Sequence, residues 1–350
     1  MNTSQLYLKL ILCTLTILFL SNCKKKDTLE PLIIEASGTP EGTALIITGA
    51  AARIGQEAAL LEKLYKTGAL DNLQLISGIS AGGINTIALN GIIGGQYTWE
   101  EYKDLLFNLT NDSVFVNNNN NIPVDTRPLR KLFERLVNDD FGYQSFSDLP
   151  IPCEVTAVRL SDKKVIRIGN HTGLNGYGLS GDIVDGLMAT TSIPGAMPAI
   201  RIKGEDYVDG GLKETAQYKS ILEYQLLRGK PFEKIYVISF QRNECTDWSK
   251  ELKALGLTGK PEHFLKKSLE MSGLDLDEGT RKHLLEDLHA LQRNYPQMSS
   301  RTYVYMPKIN DLPYYPLFEF STEKSQFDFV GNWVTKNDPI LLVDYLLSEN

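Results

Sequence analysis

The chain has 350 residues, 42% of them hydrophobic and 23% charged, and its 43 acidic against 36 basic side chains give a net charge of −7. This is the composition of a globular protein with enough apolar residues for a sizeable core. An acidic balance with no basic stripe argues against a nucleic-acid partner and against a broadly basic, membrane-hugging surface.

The chain opens on Lys9 and the apolar run Leu10 to Leu20, followed by small and polar residues and Cys23. That is the pattern of an export signal, and the run is too short to span a bilayer comfortably. Leu20-Ser21-Asn22-Cys23 resembles a bacterial lipoprotein box. The expectation is a signal peptide at 1–22, a lipidated Cys23 anchoring the protein to an envelope membrane, a tether at 23–42 and one domain at 43–350. The alternative is an uncleaved anchor flanked by Lys24-Lys25-Lys26. Cys153 and Cys245 are read as independent buried thiols, although the compartment permits a disulfide. No Cys-x-x-Cys or histidine cluster suggests a metal, and no cofactor is expected.

Residues 44–48 form a short apolar run suited to a buried parallel strand, and the turn Gly49 to Arg53 leads into an amphipathic helix near 55–65. A second strand at 73–77 gives way to a helix with a mostly apolar face. Residues 97–110 and 126–137 are expected to be helical, with Asn117 to Asn121 as a surface loop between them. Strands follow near 153–158, 165–168, 207–209, 235–240 and 303–305, with a helix at 279–294 and a closing helix within 340–347. Strands alternating with helices predict an α/β fold: a mainly parallel central sheet covered by helices on both faces.

Two local patterns carry chemistry. Gly78-Ile79-Ser80-Ala81-Gly82 stands where a strand turns into a helix, the arrangement of a nucleophile elbow, in which the flanking Gly78 and Gly82 leave room for neighbouring backbone. Tyr207-Val208-Asp209-Gly210-Gly211 ends a short strand on a carboxylate, at the strand end where α/β sites gather. Serine needs a group to take its proton as it attacks. His171 lies in a glycine-rich loop and His263, His283 and His289 in polar helical stretches, so none stands in the tight loop expected of a triad histidine.

In this order the motifs resemble the patatin-like phospholipases, over most of residues 43–348. Gly78 to Gly83 is similar to that family's nucleophile motif and Asp209-Gly210-Gly211 to its aspartate motif. Ala189 to Pro198 is similar to the small-residue and proline segment between them, and Asp125-Thr126-Arg127-Pro128-Leu129 to a family helix start. The resemblance implies a three-layer fold and a lipid acyl hydrolase with a Ser80–Asp209 dyad, acting on membrane lipids. It places an oxyanion hole at Gly49, Ala50, Ala51, Arg53 and Ala81. The family's loop is a glycine run, whereas here Ala50, Ala51 and Ile54 stand where glycine is usual. Alanine keeps the N–H but resists positive φ, so the loop must take another path or accept strain. Arg53 is expected either to steady this loop or to meet a phosphate. Tyr314, Tyr315, Phe318 and Phe320 are candidates for an acyl groove, or simply core. Two alternatives stand beside the dyad: an α/β-hydrolase esterase with a Ser-His-Asp triad, and a lipid-binding lipoprotein with an impaired oxyanion hole.

Overall fold

A computed structural model describes residues 35–170, 178–179, 181–241, 245–274 and 279–349. The expected signal peptide at 1–22, Cys23, the start of the expected tether and His171 lie outside the described residues. Strands β1 (Thr43–Ile47), β2 (Leu73–Ile79), β3 (Val116–Asn118), β4 (Asn121–Asp125), β5 (Cys153–Arg159) and β6 (Lys164–Gly169) come first. They are followed by β7 (Gly178–Leu179), β8 (Ile200–Ile202), β9 (Glu205–Asp209), β10 (Lys234–Ile238), β11 (Thr302–Tyr305) and β12 (Ile340–Leu341). Every residue of β1 is buried, and β2 is buried except at Gln74, as a strand covered on both faces requires.

The sheet runs β12-β11-β10-β1-β2-β5-β6-β7, with β9 paired to β5 and β8 to β9. From β11 to β5 every pairing is parallel. β6 and β9 are antiparallel to β5, β8 to β9 and the edge strand β12 to β11, while β7 runs parallel to β6, so the sheet is mainly parallel with antiparallel pairings beyond β5. Helices cover it, among them Ile54–Lys66, packed against Glu323–Val334, and Ala81–Ile93, packed against β2. Among the described residues no helix is long and apolar enough to cross a membrane.

β5 sets the geometry of the site. Its first half pairs with β2, down to Ile79 opposite Thr156, and the next residue, Ala157, pairs with Asp209 of β9. The parallel strand leaving β5 and the antiparallel strand arriving at it therefore meet end to end.

Several expected elements differ. The surface loop Asn117 to Asn121 is the turn of the β3–β4 hairpin, because Asn119 and Asn120 adopt φ of 49° and 59°, the left-handed pair that a tight hairpin turn needs and asparagine tolerates. The helix expected at 97–110 is Trp99–Phe107, started by a reciprocal cap between Thr98 and Glu101, and a separate short helix follows at Asn111–Val114. The helix expected at 126–137 is Arg127–Glu134, continued to Asp140 by wider π-type turns. Residues at the end of the expected tether lie on the domain: Glu35 accepts from the N–H of Met298 at 2.5 Å and Glu41 N–H donates to the Pro231 carbonyl at 3.0 Å. Cys153 is a buried free thiol, but Cys245 is exposed rather than buried.

Candidate active site

Ser80 sits on the turn from β2 into Ala81–Ile93 with φ 53° and ψ −123°, a conformation that side-chain-bearing residues rarely adopt. The turn is possible because of its flanks. A Cβ at Gly78 would lie 2.4 Å from Thr86 Oγ1, and one at Gly82 would lie 2.4 Å from the carbonyl oxygens of both Ile47 and Thr48. Glycine is thus required for the helix to seat on β1. The Ser80 N–H donates to Thr190 Oγ1 at 2.9 Å, and that hydroxyl donates onward to the Thr156 carbonyl at 2.6 Å. Thr190 belongs to the Ala189–Pro198 segment, and Ser192 of the same segment accepts the Asp209 N–H at 2.9 Å. One stretch of chain therefore ties down both ends of the pair.

Asp209 ends β9 and its carboxylate accepts the Gly211 N–H at 2.8 Å. Gly210 passes so close to β5 that a Cβ there would lie 2.5 Å from the Thr156 carbonyl. The Ser80 hydroxyl lies beside the Asp209 carboxylate and favours its charged form, and both residues are buried, each 6% exposed. Burial pushes the Asp209 carboxyl up to about 7, against the pull of the neighbouring Ser80 hydroxyl and the Gly211 hydrogen bond, because a carboxylate loses hydration there. A carboxyl tuned to that range can hold or release a proton near neutral pH.

The two side chains line a cleft with Gly49, Ala50, Ala51, Ile193, Phe240, Leu274, Leu317 and Phe318. Gly49 is in close contact: a Cβ there would lie 3.1 Å from Ser80 Cβ. Ala50 has φ −120°, whereas Ala51 has φ 49°. The loop has accepted strain at one alanine, at a cost of about 1–2 kcal/mol for an L-residue. No hydrogen bond among the described residues engages the Ala50, Ala51 or Ala81 N–H, and that of Ala81, in the first turn of its helix, is part of the positive end of the helix dipole. Of the four aromatic candidates only Phe318 lines the cleft; Tyr315 and Phe320 are buried, and the Tyr314 hydroxyl donates to Glu251 at 2.7 Å.

Arg53 does not line the cleft. It is buried, donates to the Tyr315 carbonyl at 2.7 Å and lies over the Phe240 ring at 5.5 Å, the loop-holding arrangement. His263, His283 and His289 lie on the helices His263–Met271 and Gly279–Asn294, and none lines the cleft. Among the described residues no group of His, Cys, Asp and Glu is arranged to hold a metal.

Sequence reasoning missed a polar layer beneath the loop. Gln56 and Glu57, on the helix read as amphipathic, are wholly buried. Glu57 accepts from Thr48 Oγ1 at 3.3 Å and Asn85 Nδ2 at 3.1 Å, and burial raises its carboxyl well above the usual range. Glu323 accepts the Gly55 N–H at 2.7 Å and is raised by burial in the same way. Acidic residues in the first turns of a helix read locally as solvated; only the long-range packing buries them.

The sequence model of the family described as patatin-like phospholipase matches residues 45–218, which contain Ser80, Asp209 and the Gly49–Arg53 loop. No curated protein sequence matches the chain. Among solved structures, VipD from Legionella pneumophila is similar at 14% identity and a TM-score of 0.41, over 90% of this chain and 72% of VipD. ExoU, in its complex with SpcU from the type III secretion system of Pseudomonas aeruginosa, is similar at 15% identity and a TM-score of 0.33, over 75% of this chain and 59% of that one.

Proposed function

The chain belongs to the patatin-like phospholipase family, and from that premise we propose that it is a serine lipid acyl hydrolase working through Ser80 and Asp209. The observation that carries the reading is the Ser80 hydroxyl and a buried Asp209 carboxyl, raised to about 7, side by side in an apolar cleft with unengaged backbone N–H groups beside them. Asp209 takes the Ser80 proton as Oγ attacks the ester carbonyl carbon. The Ala50, Ala51 and Ala81 N–H groups hold the oxyanion, each worth about 10²–10³ in rate by analogy with other acyl-transfer sites. Collapse of the tetrahedral intermediate expels the alcohol, which receives the proton back from Asp209. Water, deprotonated by the same carboxylate, then releases the fatty acid and restores the serine.

Membrane lipid esters are the proposed substrates, because the apolar walls Ile193, Leu274, Leu317 and Phe318 suit an acyl chain. Anchoring through a lipidated Cys23 would hold the domain at a bacterial envelope membrane at high effective concentration, without a basic surface. Fatty-acid release from mixed phospholipid vesicles tests the reading. Wild type should release fatty acid and take up a fluorophosphonate probe; Ser80→Ala and Asp209→Asn should release at most about one hundredth as much. Equal release from all three proteins overturns the dyad, and failure of wild type both to release and to be labelled overturns the hydrolase.

A further inference from the structure

The loop Gly49–Arg53 is held from outside the matched family region, by the segment 315–326. The Ala52 N–H donates to the Leu317 carbonyl at 2.9 Å, and the Ala52 carbonyl accepts from Gln326 Nε2 at 2.6 Å. Arg53 reaches the Tyr315 carbonyl, and Glu323 accepts the Gly55 N–H. Gln326 is itself fixed: it is 0% exposed, its Nε2 also donates to Thr322 Oγ1 at 2.9 Å, and its Oε1 accepts from Gln56 Nε2 at 2.9 Å.

These bonds pin the two peptide planes that flank Ala52. With those planes fixed, the direction of the Ala51 N–H is set by the φ and ψ of Ala51 alone, and its φ is 49°. Alanine prefers negative φ, and a loop free to relax would turn that N–H elsewhere. A glycine run has no such preference and would need no external restraint. We propose that Gln326 is a positioning residue of the oxyanion loop: by holding the Ala52 carbonyl it keeps Ala51 in the left-handed conformation and its N–H toward the cleft. The C-terminal segment thereby does for this alanine-bearing loop what glycine would otherwise do. The role of that N–H rests on the hydrolase reading above; the conformational claim does not.

The test compares wild type, Gln326→Met, which keeps the side-chain volume and loses the donor, and Gln326→Met combined with Ala51→Gly. Soluble short-chain esters and their thiono analogues serve as substrates, since a thiono sulfur accepts oxyanion-hole hydrogen bonds poorly. Gln326→Met should lower kcat about 10–100-fold with KM within about threefold, and should narrow the preference for ester over thiono ester. Adding Ala51→Gly should restore most of the lost kcat, a rescue that general damage to the fold does not predict. A crystal structure of Gln326→Met should show Ala51 at negative φ. Unchanged kcat, a loss that Ala51→Gly does not recover in a folded protein, or Ala51 still at positive φ overturns the proposal. If Gln326→Met is recovered unfolded, Gln326→Asn, one methylene short of the Ala52 carbonyl, replaces it with the same expected and overturning results. If wild type hydrolyses no ester, the hydrolase reading fails while the crystallographic result still decides the clamp.

Discussion

Replacing Asp209 by asparagine should make the folded protein more stable, by an amount that grows as pH rises above about 4, where the carboxyl of the unfolded chain becomes charged. The folded-state pKa is about 7, raised by burial, against an ordinary value of 3.8 in the unfolded chain. Between those values the native protein holds a proton that the unfolded chain has released. The stabilisation from this group is therefore fully present below about pH 4 and is lost as pH rises through 7. Three units at about 1.36 kcal/mol each set a ceiling of about 4 kcal/mol on the penalty carried above pH 7. Asparagine escapes it while keeping the geometry: its Oδ1 can accept from Gly211 N–H as Asp209 does, and its Nδ2 can donate to Ser80. Urea unfolding of both proteins across pH is the assay. The variant should gain about 2–4 kcal/mol at pH 8, about 1 kcal/mol at pH 5 and almost nothing near pH 4. A variant no more stable than wild type at pH 8, or a gain that does not vary with pH, refutes the argument that burial is what tunes this carboxyl.

Catalysis should show the same group with the opposite preference. If ionised Asp209 is the base, kcat/KM should rise tenfold per pH unit below about 7, leaving about 1% of the plateau at pH 5; a flat profile from pH 5 to 8 contradicts the assignment. Thr190→Val removes the hydroxyl that accepts the Ser80 N–H and donates to the Thr156 carbonyl, stranding two buried backbone groups. Thermal unfolding should report a loss of about 2–4 kcal/mol, and kcat should fall with it; a variant of wild-type stability and activity would mean that the elbow holds its own shape.

What the sequence made legible is what its chemistry writes locally. Beside the serine at the strand-to-helix turn, Gly78 and Gly82, and after the carboxylate, Gly210, meet neighbouring backbone that leaves no room for a Cβ, so both motifs carry their geometry in their own letters. The conflict at Ala51 was also visible, since alanine's distaste for positive φ is intrinsic to the residue. Its resolution was not, because Gln326 and Leu317 lie at the other end of the chain. The antiparallel extension was equally hidden: the buried run Tyr207-Val208-Asp209 of β9 suits a strand of either direction, and only its pairing with β5 gives that direction. Asn119-Asn120 misled because the same asparagines that suit an irregular loop also suit the turn of a hairpin.

Because Ile79 and Asp209 are docked on consecutive rungs of β5, the spacing of Ser80 and Asp209 is measured along a single strand rather than along the covalent path between them. Lengthening the hairpin, or any other excursion of the chain between those strands, leaves that gauge untouched. One extra residue inserted at Thr156 or Ala157 shifts one partner against the other by a full step, about 3.3 Å, and inverts the face that follows. Diversity among proteins of this design should therefore collect in the excursions and be nearly forbidden in the seven residues of β5, none of which lines the cleft.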